Sequence, residues 1–121
     1  MEELFVPSEL AIKAKEKGFT YPCFGFHKAI NASKHELKLN NYFSYNIPFM
    51  FDHNTNTQCP GDCSAPIYQQ LVDWLEAKHG FFFFFFMNDN KQVYCVLWNG
   101  AAGYVELQTL DKAIEQAFKL I

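Results

Sequence analysis

The chain has 121 residues, enough for one domain that buries about two-thirds of the surface its unfolded form exposes, so a core needs neither disulfides nor metal. Half of the residues are hydrophobic, 19% are charged and 18% are aromatic, which excludes the disordered class. Thirteen acids against ten bases give a net charge of −3, and without a basic field nucleic acid is not an expected partner.

The first element is a helix over residues 7–17. Pro7 suits a first helical turn, Leu10, Ala11 and Ala14 recur at helical spacing, and Gly18 followed by Phe19 has the form of a glycine cap with its hydrophobic contact. The acidic opening MEEL is not followed by an apolar run of signal-peptide length, so a cytoplasmic location is expected. Residues 21–26 read as a short extended piece, and Pro22 argues for a sheet edge. From His27 to Lys34 the chain turns polar.

Leu37, Leu39, Phe43, Tyr45, Ile47, Phe49 and Phe51 then alternate with polar residues, the period of a long strand or a hairpin with one buried face. Asn40 and Asn41 can turn the chain in the middle, and residues 52–62 form a loop by composition. The second helix is expected over residues 65–79, with Ser64 as N-cap, Pro66 in the first turn and Gly80 just past the end.

Six consecutive phenylalanines follow, Phe81 to Phe86. With Met87 the apolar run is seven residues, far short of the roughly 20 that a bilayer-spanning helix needs, so no membrane partner is expected. As a strand it places Phe81, Phe83 and Phe85 on one face and Phe82, Phe84 and Phe86 on the other. Leaving one trio wet opens a patch of about 500 Å², near the upper end for a monomer, so both faces are expected to be covered, by helices of this chain or by a partner. Further strands are expected over residues 92–98 and 103–107, joined by turns at Asn88-Asp89-Asn90 and Asn99-Gly100. Thr109 then caps a closing helix on which Leu110, Ala113, Ile114, Ala117, Phe118 and Ile121 share one face. The fold expected is a single α+β domain over 1–121, an antiparallel sheet ending in a three-strand meander and packed by three helices, in the order α-β-β-α-β-β-β-α.

Signals of chemistry are sparse. Cys59 and Cys63 form a C-x3-C pair with His53 six residues upstream, a thiolate and imidazole set that zinc accepts, although a structural site normally has four ligands. Cys63 also precedes the expected helix start, where a dipole activates a thiol, so a small enzyme using Cys63 or a histidine is one alternative. Phosphate loops, metalloprotease helices and nucleophile elbows are absent, and no cofactor is expected. The polar span 27–62 is the place for a ligand: Asn40, Tyr42, Tyr45 and Asn46 combine amide hydrogen bonding with aromatic stacking for a small polar molecule such as a metabolite or nucleotide.

The stretches ELFVPSELAIKAKEKGFTYPCFGF, CSAPIYQQLVDWLEAKHG and DKAIEQAFKLI together resemble a family of small uncharacterised proteins from phages and mobile elements of Bacteroides-type gut bacteria. The resemblance implies an accessory protein in the cytoplasm of a bacterial host and implies no activity. Its pattern departs after Gly80, where relatives carry a strand of mixed character. A non-enzymatic protein that binds a host protein or itself is the function expected, with small-ligand binding and the thiol or histidine enzyme as alternatives.

Overall fold

The structure, a computed structural model, describes residues 2–41, 49–55, 58–98, 104–107 and 109–121. It is an α+β protein with antiparallel sheets, and its contacts gather into two compact units, Met1–Leu71 and Val72–Ile121.

In the first unit, α1 (Ser8–Glu16) begins after extended Pro7 and ends as its sequence demands. Gly18 takes φ +92°, a left-handed conformation that costs glycine little, and the Gly18 and Phe19 N–H groups donate to the Lys15 and Ala14 carbonyls. This paired bonding closes the last turn and turns the Phe19 ring into the core, where it is fully buried. Leu10, Ala11 and Ala14 are buried from the helix side.

Strands β1 (Gly25–Asn31), β2 (Lys34–Leu39) and β3 (Cys63–Ala65) form a sheet in the order β2-β1-β3, with α1 against β3. Two expectations change here. The polar residues from His27 onward, for which the sequence predicts no element, are strand, because a short connection, Ala32 and Ser33, closes the hairpin while the Asn31 side chain accepts from the Ser33 N–H. Ser64 is not a helix cap. It lies in β3 opposite Phe26, and its polar groups are committed to the chain upstream: its hydroxyl accepts from the His53 N–H and its own N–H donates to Asn54 Oδ1. Helix α2 (Tyr68–His79) therefore starts later than expected, and the Gln70 side chain accepts from the Ile67 N–H at its start. Gly80, at φ +72°, ends it. The long alternating segment resolves into β2 and an isolated pairing of Phe51 with Cys23; residues 42–48 lie outside those described.

In the second unit, β4 (Phe81–Asn88), β5 (Lys91–Trp98) and β6 (Tyr104–Leu107) make an antiparallel meander in that order. Asp89 and Asn90 take φ +49° and +64°, the two successive positive values of a tight turn whose twist matches the strands it joins. The Asn99-Gly100 turn lies outside the described residues. Helix α3 (Leu110–Lys119) lies against β5 and β6, with Ala113, Ile114, Ala117 and Phe118 buried, while Ile121 is exposed past the helix end. Thr109 Oγ1 accepts from the Lys112 N–H as the sequence predicts. Thr109→Ala should cost about 1 kcal/mol in a chemical denaturation curve, the usual loss for such a cap.

Candidate functional site

Asn40, His53 and Cys63, among the residues expected to meet a ligand or metal, are committed to the fold of the first unit. Asn40 is buried: its Nδ2 donates to the Cys23 carbonyl at 2.9 Å and its Oδ1 lies 2.8 Å from His53 Nε2, which must therefore carry the proton. Phe26 stacks on the His53 ring at 4.0 Å and Phe51 meets it edge-on at 4.7 Å. Asn54 donates to the Phe19 carbonyl and accepts from Ser64, and Asp62 accepts from the Ala29 N–H. These bonds tie the segment carrying His53 to β1 and β3, and among the described residues every buried side-chain nitrogen or oxygen has a partner. Tyr42, Tyr45 and Asn46 lie outside the described residues.

His53, Cys59 and Cys63 do not assemble as metal ligands; among the described residues no three His, Cys, Asp or Glu side chains gather to hold an ion. The reason is topological. β3 draws Cys63 into the core while Cys59 stays at the surface, in a loop held to α1 by the Lys15 ammonium, which donates to the Pro60 and Asp62 carbonyls. Burial pushes the Cys63 thiol up to about 11, with Lys15 opposing and Asp62 adding to the rise. Burial likewise pushes Cys23 up to about 12, with Asp52 and then Cys63 adding. Both are protonated near neutral pH, the opposite of an activated nucleophile. A thiol-alkylating reagent at pH 7.5 should label Cys59 and spare Cys23 and Cys63 in the native chain, read by peptide mass; rapid labelling of Cys63 would restore it as a reactive group.

His27 Nε2 donates to the Val6 carbonyl at 2.8 Å from a buried position. Burial lowers the pKa of His27, against the pull of the Val6 carbonyl, and lowers that of His53 against Asp62 and Asp52. Both rings are neutral in the fold above their ordinary value of 6.5, and the unfolded chain binds protons first as pH falls. Stability should therefore be level above about pH 6.5 and decline below it until the depressed folded-state values are passed. Thermal midpoints at pH 7.5, 6.5 and 5.5 test this, and His27→Gln should flatten the decline.

A cavity of about 680 Å³ opens in the first unit beside α1 and the β1–β2 hairpin, with Lys15, Glu16, Asn31 and His35 among its lining. Lys15 is held by two carbonyls, and Asn31 Oδ1 by the backbone N–H and hydroxyl of Ser33.

The surface that stands out is β4. The register pairs β4 with β5 along its whole length, from Phe81 with Trp98 to Asn88 with Lys91, so Phe82, Phe84 and Phe86 lie on one face of the meander and Phe81, Phe83 and Phe85 on the other. Phe81 and Val96 are buried on the second face, and helix α3 packs against β5 and β6. Elsewhere this chain by itself does not supply the expected cover: Phe82 is 55% exposed, Phe84 38%, Phe86 37%, and on the other face Phe85 and Met87 are 63% exposed each. One ten-residue helix cannot span both faces, and α3 touches β5 and β6 while, among the described residues, β4 forms the sheet's edge. Sequence reasoning located the strand but not this openness, because strand length and composition say what needs cover and not what is within reach. No helix of the described residues is long and apolar enough to cross a membrane. Comparison with protein families, curated proteins and solved structures finds no match for the chain.

Proposed function

We propose that this chain is a non-enzymatic accessory protein of a phage or mobile element that acts by contact with another protein chain, using the open aromatic strand β4. The observation that carries the reading is the exposure of five large apolar side chains on one edge strand, a concentration that isolated surface hydrophobics do not produce. Phenylalanine and methionine are residues that protein interfaces favour, and an edge strand adds a row of main-chain donors and acceptors. Protonated buried thiols and an internally satisfied polar cluster support binding over chemistry. The origin rests on the sequence resemblance.

Affinity capture from a bacterial lysate, with the wild-type chain and a Phe82→Ser, Phe85→Ser double variant as baits, tests the reading. Proteins retained by the first and lost by the second are expected. Identical captured sets would refute β4 as the contact surface. The cavity beside Lys15 and His35 supports small-ligand binding as a second reading, which native mass measurement of the purified chain tests through a bound mass that denaturation releases.

A further inference from the structure

We infer that the occupant of β4 is a second copy of the same chain, paired antiparallel about a two-fold axis near Phe84; the inference rests on reading β4 as the contact surface. Apolar exposure wraps this strand instead of lying on one face, with Phe82, Phe84 and Phe86 open on one side of the sheet and Phe85 and Met87 on the other. A partner laid over either face leaves the other set wet. A strand added at the β4 edge borders both sets and takes up outward-facing main-chain groups.

The tract is complementary to itself. Pairing about Phe84 sets Phe82 opposite Phe86 of the second copy, and Phe83 opposite its Phe85, so the central cross-strand pairs are aromatic on both faces. Six like residues alone would tolerate a slip in register, and the strand ends select against it. In the symmetric register Asp89 of each copy comes to the end of the other's β4, where Lys78 and His79 close α2. Lys91 pairs with Asn88 on β5, one strand farther from the seam. The five exposed side chains present about 500 Å² per copy, so a pair buries at most about 1,000 Å², the range of weak, transient interfaces. A concentration-dependent dimer follows.

Sedimentation equilibrium of the full chain across the micromolar range should rise from one chain mass to two. Phe85→Lys and Met87→Lys, both at exposed positions, should each hold the protein at one chain mass with the thermal midpoint of the wild type diluted to one chain mass, and Asp89→Lys should weaken pairing several-fold. If a lysine variant unfolds, amide exchange of the wild type gives the same answer: β4 protection should fall on dilution while β5 protection persists. A wild type that stays at one chain mass, a dimer indifferent to all three lysines, or open-ended growth overturns the second copy as occupant. A one-chain mass combined with Phe82- and Phe85-dependent capture sinks this inference alone, whereas loss of both results sinks the contact surface as well.

Discussion

Phe19→Ala is expected to destabilise the Met1–Leu71 unit by about 3–5 kcal/mol, the usual cost of emptying a fully buried phenylalanine site. Phe19 is the residue after the Gly18 cap, so its backbone N–H is fixed on the Ala14 carbonyl and the ring cannot withdraw without undoing the last turn of α1. The neighbouring Tyr21 ring, 5.5 Å away, and the carbonyl of Phe19 held by Asn54 limit how far the site can collapse around a cavity. A denaturation series in urea measures the loss, and Phe85→Ala is the internal contrast. Phe85 is mostly exposed in a single chain, so under conditions where the protein is monomeric its truncation should cost under about 1 kcal/mol. Equal costs at the two positions would mean that the exposed side of β4 is core after all.

Asn40→Ala is the second large effect, roughly 2–4 kcal/mol, and its origin is polar. The substitution removes the donor to the buried Cys23 carbonyl and the acceptor for His53 Nε2–H, and each partner left without a bond costs about 1–3 kcal/mol. The backbone of Asn40 also donates to the Phe24 carbonyl and accepts from the Phe49 N–H, so the residue ties the end of β2 to two other segments. Equilibrium unfolding reads the loss, and heteronuclear NMR should show the His53 and Phe51 resonances shifting together, since the rings touch. A change below 1 kcal/mol would return Asn40 to the role the sequence suggests, a surface amide available to a ligand.

Phe19 and Asn40 also mark where sequence reading succeeds and where it fails. The Gly18-Phe19 cap, the Thr109 cap and the apolar spacing of α3 are local, so the backbone bonding they require can be recognised within a few residues. The sequence suggests Asn40 for a ligand, His53 for a metal and Ser64 for a helix cap; the partners they take instead are 10 to 17 residues away and meet only in the folded first unit. The pairing of β3 with β1 turned Ser64 from a helix cap into a strand residue and moved the start of α2 to Tyr68. Cys63 went the same way: its spacing from Cys59 suggested a metal loop, and its place in β3 buried it.

The residues around the phenylalanine tract determined a great deal by themselves. Gly80 ends a helix, Asp89 and Asn90 adopt the positive φ values of a two-residue turn, and between them lies an apolar strand far shorter than a bilayer-spanning helix needs. Those outcomes follow from local backbone preference and length. Which phenylalanines stay wet was decided only by tertiary structure, since α3 reaches β5 and β6 and leaves β4 at the edge. Cover depends on where a helix elsewhere in the chain comes to rest, a long-range packing outcome that the pattern of one strand does not contain.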